Sequence, residues 1–159
     1  VRRRMLRALK AEVAERGTEL ETLLRRLLQE SETGQIKLYL TWCALQFRRS
    51  QPELFARGGY LPLRAQGEKD EHVCAFARVL GDQAALTVAP RLVAGLTHGA
   101  ERPPLGMETW GDTTLVLPET VPGQRFRNVL TGESRVRTKG RGLLLGEMLK
   151  HFPVALLSA

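Results

Sequence analysis

The chain has 159 residues, 43% of them apolar and 26% charged, the composition of a water-exposed globule of one ordinary domain rather than a disordered tail. At that length folding takes roughly two-thirds of the unfolded surface out of water, so a core can form without metal or disulfide staples. The net charge of +7 invites a nucleic-acid reading, but Arg2, Arg3, Arg4, Arg7 and Lys10 supply most of the excess and the other bases nearly balance the 17 acids. A charge excess confined to one helix end suits a solvated or partner-covered end better than a phosphate-tracking stripe with interleaved aromatics, so a nucleic-acid partner is not expected.

No apolar run approaches the roughly 20 residues that span a bilayer, and no export signal is visible. Neither a membrane nor a secreted setting is therefore expected, and the location expected is cytoplasmic. Cys43 and Cys74 both lie in apolar-patterned segments and read as two reduced core thiols.

In chain order, Leu6, Leu9 and Val13 give a first helix one apolar stripe that ends at Gly17, and Thr18 with Glu21 form a capping-box pattern for a second. Leu20, Leu23, Leu24, Leu27 and Leu28 then recur at amphipathic helical spacing. The stretch from Ile36 to Phe47 is apolar on nearly every side, and such a helix is expected to be covered all round. Pro52 and Glu53 open a short turn, which Gly58 and Gly59 break.

From there the pattern becomes short and punctuated. Tyr60 to Leu63 reads as a strand, His72 to Leu80 as another with Val73, Ala75, Ala77 and Val79 on one face, and Gly81-Asp82 as a hairpin turn into Ala84 to Ala89. A brief helix or loop follows Leu92, and Gly99 to Gly106 is a proline-rich connection. Thr113 to Leu117 reads as a strand closed by Pro118. Gln124 to Leu130 and Ser134 to Thr138 form a hairpin about Thr131-Gly132-Glu133. One or two helical turns at Gly146 to His151 precede a terminal run, Val154 to Leu157. The fold class is α+β: N-terminal helices over residues 1–57, then a small antiparallel β-sandwich over residues 58–159.

Chemistry is sparse. His72, His98 and His151 have no second His or Cys at metal-ligand spacing, and no Ser sits in a nucleophile elbow. Gly140 and Gly142 are a weak glycine pair without the strand-to-helix context of a phosphate cradle. Glu68, Asp70 and Glu71 share a charged loop with Lys69 and read as a solvated turn. Trp110 and Asp112 are the one candidate for sugar contact, an indole to stack on and a carboxylate to orient a hydroxyl. A core Trp beside a turn Asp is the plainer alternative. No catalytic, metal or cofactor residue is assigned, and no cofactor is expected.

Particular words in the sequence point further. Gly34-Gln35-Ile36-Lys37-Leu38, Phe47-Arg48-Arg49, Pro52-Glu53-Leu54-Phe55 and Gly59-Tyr60-Leu61-Pro62-Leu63 resemble the last barrel helix of the α-amylase superfamily and its crossing into a C-terminal β domain. Then come His72-Val73-Cys74-Ala75-Phe76-Ala77-Arg78, Ala89-Pro90-Arg91-Leu92, Trp110-Gly111-Asp112-Thr113, Asn128-Val129-Leu130-Thr131-Gly132 and Phe152-Pro153-Val154-Ala155-Leu156-Leu157. In that order these resemble the C-terminal portion of the maltooligosyltrehalose synthase family over nearly the whole chain from Gly34.

The resemblance implies an enzyme that turns the reducing-end α-1,4 link of a maltooligosaccharide, or of a glycogen-derived glucan, into an α,α-1,1 link by intramolecular transglycosylation. A carboxylate nucleophile and an acid/base Glu would do this in a pocket closed to water. Those carboxylates belong at the strand ends of a (β/α)8 barrel, which would precede Val1; the lack of an initiator Met fits an excised piece. The resemblance thus implies a non-catalytic buttress that packs on the missing barrel. A maltooligosaccharide-binding module using Trp110 and a basic nucleic-acid binder using Arg2 to Lys10 are the alternatives. How the leucine-striped helices are covered stays open among packing on the β domain, self-association and exposure.

Overall fold

A computed structural model describes residues 2–16, 20–137 and 142–159. Thr18 of the expected capping box, Thr138 of the second hairpin, and Gly140 of the glycine pair lie outside the described residues, as does Gly17. Four helices open the chain: α1 (Arg2–Arg16), α2 (Leu20–Gln29), α3 (Gln35–Ser50) and α4 (Pro52–Arg57). The expected turn at Pro52 is a six-residue helix, because proline at its first position needs no N–H partner and arrives with helical φ. It stops at Gly58, where a Cβ would stand 2.4 Å from the Leu54 carbonyl oxygen, so only glycine lets the chain turn this closely into the sheet.

Beyond Gly58 the chain forms β1 (Gly59–Leu63), β2 (Ala65–Gln66), β3 (Val73–Leu80), β4 (Gln83–Pro90), α5 (Val93–Leu96), α6 (Gly106–Trp110), β5 (Thr114–Leu115), β6 (Arg125–Asn128), β7 (Ser134–Val136), β8 (Leu143–Leu144), α7 (Leu145–Met148) and β9 (Ala155–Ser158). Gly81 sits at φ 56° in the β3–β4 turn, the left-handed conformation a tight hairpin requires. A six-stranded antiparallel sheet runs β1-β3-β4-β9-β6-β7, and a three-stranded one runs β2-β5-β8. The expected α+β class, helices first and antiparallel sheets after, is what the chain forms.

Two cores share the larger sheet. Its inner face turns Leu63, Ala77, Leu86, Val88, Phe126 and Leu157 toward Leu115 and Leu143 of the small sheet and toward Trp110, Leu145 and Met148 of the short helices. The expected face of β3 lies here, with Ala77 buried and Val73, Ala75 and Val79 packed beside it. On the outer face, Ala85 of β4 and Leu156 of β9 meet Leu9 of α1, Leu23, Leu24 and Leu27 of α2, Tyr39 and Phe47 of α3, and Leu54 of α4. The α1 and α2 stripes are therefore covered by one another, by α3 and by the β region. Removing each such leucine from water contributes about 1.5–3 kcal/mol. Strand β4 is buried on both faces, with Ala84, Leu86 and Val88 in the inner core and Ala85 in the outer one, which explains the unbroken apolar stretch Ala84-Ala85-Leu86.

Tyr39 ties the layers together. It is fully buried, its hydroxyl donates to the Leu130 carbonyl at 2.6 Å, and its ring meets Phe152 edge to face with centroids 6.0 Å apart. Burial holds its phenol far above the ordinary range, with Cys43 one helical turn on adding to the effect, and burial also pushes the Cys43 thiol up. Two expectations are corrected. Helix α3 is not covered all round: Leu45 is 53% exposed, with Lys37 and Thr41 on the same open side. Cys74 is not a core thiol; it is exposed, because β3 turns its even-numbered residues away from the inner core.

Candidate functional site

Trp110 ends α6 and is fully buried in the inner core. Its indole N–H donates to the Pro104 carbonyl at 2.9 Å, so the ring is satisfied and packed with no face open to a sugar. The stacking role considered for it is thereby corrected: local sequence could not show that the loop before α6 folds back under the indole. Asp112 is two residues on, past Gly111, and exposed.

Asp112 lies on the rim of a groove of about 850 Å3 over the outer face of the small sheet, with Gln66, Thr114, Val116, Glu119 and Leu144. A basic residue also lines it, but the Arg137 guanidinium donates to the carbonyls of Leu117, Pro118 and Val121, clamping the loop beneath the groove. Asp112 and Glu119 are both exposed at an open rim. Glycoside chemistry needs one carboxyl kept protonated by an apolar wall and its partner at a set separation. The open rim leaves both carboxylates exposed to solvent, without such a wall between them.

The remaining titratable groups are dispersed. His72 Nδ1 is 3.3 Å from the Arg91 carbonyl oxygen and its Nε2 is 3.6 Å from Glu71, packing at a strand entrance. His151 stands between Glu21 at 3.8 Å and Glu133 at 3.6 Å, joining α2 to the β6–β7 hairpin. Lys69 pairs with the exposed Glu68 at 2.6 Å and lowers its carboxyl pKa through a hydrogen bond and charge. Among the described residues no three His, Cys, Asp or Glu side chains gather to hold a metal, and no helix is long and apolar enough to cross a membrane. Arg2, Arg3, Arg4, Arg7 and Lys10 are all exposed along α1, and Lys10 Nζ lies 5.7 Å from the centre of the Trp42 ring.

One feature was not anticipated from the sequence. Tyr60 of β1 is 60% exposed, and its ring lies against Phe76 of β3 with centroids 5.1 Å apart and planes inclined by 31°. The signal for it was present in the alternation of β1, where Leu61 and Leu63 turn toward the inner core and Tyr60 and Pro62 must therefore turn outward.

No family model and no curated protein matches the chain. Among solved structures it is similar to maltooligosyltrehalose synthase from Arthrobacter ramosus and to a single-substitution mutant of that protein. Each is 31% identical with a TM-score of 0.59, over 87% of this chain but only 16% of theirs. In sequence words and in tertiary structure alike, this chain is similar to one segment of a maltooligosyltrehalose synthase, the family its ordered motifs resemble.

Proposed function

We propose that this chain is the C-terminal structural portion of a maltooligosyltrehalose synthase. Its helices α1–α4 would form the end of the barrel region, and residues 58–159 the β domain that braces it. The parent enzyme would convert the reducing-end α-1,4 link of a maltooligosaccharide into an α,α-1,1 link by intramolecular transglycosylation, with both reacting carboxylates on the barrel. The observation that supports this most directly is the 31% identity kept over 87% of the chain against 16% of a named synthase. One further feature is consistent with it: Leu45 of α3 is 53% exposed on an open side that also carries Lys37 and Thr41, where a larger neighbour would cover it.

The chain's part is then to hold the final barrel helices in place through the outer face of its six-stranded sheet, with Tyr39 as the rivet. The intermediate of such a transfer must be shielded from water, so rigidity at the barrel's end favours transfer over hydrolysis. The test replaces the matching segment of a maltooligosyltrehalose synthase with this chain in frame and measures trehalose-ended products from maltohexaose. We expect none from the isolated chain and clear product from the chimera. Robust turnover by the isolated chain, or a folded chimera that forms no such product, overturns the proposal.

A further inference from the structure

We propose that the uncovered half of the six-stranded sheet is an aromatic platform for the pyranose rings of an α-1,4-glucan, centred on Tyr60 and Phe76; the choice of glucan rests on the function proposed above. The helix layer spans only part of the outer sheet face. It reaches Leu80, Ala85 and Leu156, while the register places Tyr60 opposite Arg78, Pro62 opposite Phe76, and Phe76 opposite Thr87. Register partners in an antiparallel sheet share a face. Tyr60, Pro62 and Phe76 thus form one continuous patch outside the helix-covered core, with Thr87 at its border beside Leu156.

Its chemistry selects the ligand. A pyranose ring is apolar on its C–H faces and polar around its rim. Its slightly positive C–H hydrogens are drawn to the electron-rich face of an aromatic ring. The Tyr60 ring, backed and held by Phe76, offers such a face to solvent. At its border stands Arg78, whose five N–H donors include one held by the Phe55 carbonyl at 3.1 Å, leaving others for sugar hydroxyls. The Thr87 hydroxyl lies across from Phe76 on the opposite side. A lone, partly tethered arginine is too little for a polyanion, and a patch on an edge strand is open at both ends, so a long glucan can pass across it.

Affinity electrophoresis of the chain in gels containing amylopectin, with calorimetric titration of maltoheptaose, tests this. The unaltered chain is expected to be retarded. Tyr60→Ala is expected to bind about threefold to tenfold more weakly, with its thermal midpoint little changed because the side chain is exposed. Tyr60→Phe, which keeps the ring, is expected to stay near the parent value. An unretarded parent chain overturns the platform, as does Tyr60→Ala binding with unchanged affinity. A Tyr60→Ala change that alters only the mass in solution would assign the face to contact between copies and also overturn it. A chimera that forms product while the chain ignores glucan removes the platform alone. A glucan-binding chain whose chimera is inactive removes the structural role alone.

Discussion

The two faces of the six-stranded sheet are covered by different means. The inner face is sealed by elements close by in the chain, the small sheet and the short helices α6 and α7, around a Trp110 with no exposed surface. The outer face is covered by helices that precede the sheet, anchored through a few large residues, and the cover stops short of Tyr60 and Phe76. A face sealed by neighbours in sequence closes over its centre, with Leu61, Val73, Ala75 and Val79 partly buried at its margin; one covered by a separate layer closes only as far as that layer extends. Both are packed cores, but the second joins two separate layers, and three substitutions and a pH titration distinguish them.

The largest effect belongs to the inner face. Trp110→Ala removes the largest buried side chain, leaves a cavity and frees the Pro104 carbonyl, for a loss of about 3–5 kcal/mol in urea unfolding. A loss under about 1 kcal/mol would mean that the inner face is not a packed core. Next comes the rivet of the outer layer. Tyr39→Phe keeps the ring contacts but leaves the buried Leu130 carbonyl without its donor, at a cost of about 1–2 kcal/mol.

The same residue gives the layer a pH signature. The folded-state pKa values of Tyr39 and Cys43 are both raised, from ordinary values of 10.0 and 9.0. Their contribution is complete below those values and is lost progressively from there up through the raised folded-state values, because the unfolded chain releases these protons first. Stability should therefore fall from about pH 9 upward, and the part of the fall above about pH 10 should be shallower in Tyr39→Phe. A flat profile across that range would remove burial as the cause.

The smallest effect lies between helices. Arg26 bridges Glu12 of α1 at 2.6 Å and Glu30 at 3.0 Å, with about a third of its side chain exposed. Arg26→Ala should cost less than about 1 kcal/mol, diminishing with added salt. A larger, salt-independent loss would make the α1–α2 contact part of a true core.

The legible parts of this fold are those where periodicity repeats. Leu23, Leu24 and Leu27 announce the buried side of α2, and Val73, Ala75, Ala77 and Val79 announce the inner face of β3, because five or more residues sample a helical or alternating period several times. Strands β2 and β8 are two residues long, too short to show any period. Helix α6 begins where the proline-rich connection ends, at Gly106, and its five residues are too few to show a helical period. At the candidate site, Trp110 and Asp112 stand two positions apart in sequence, yet one is wholly buried and the other exposed; residue type announced an aromatic and an acid, not which would meet water.

By itself, then, the sequence determined the α+β class, the order of helices before strands, the main apolar faces and the likeness to a glucan-remodelling enzyme, since all of these rest on local pattern or on ordered words along the chain. Only the tertiary structure decided that the helix layer caps the outer face of the sheet, that it ends before Tyr60 and Phe76, and that α3 keeps an open side at Leu45. Those outcomes depend on how far one layer reaches across another, a distance between segments remote in sequence that no local pattern encodes.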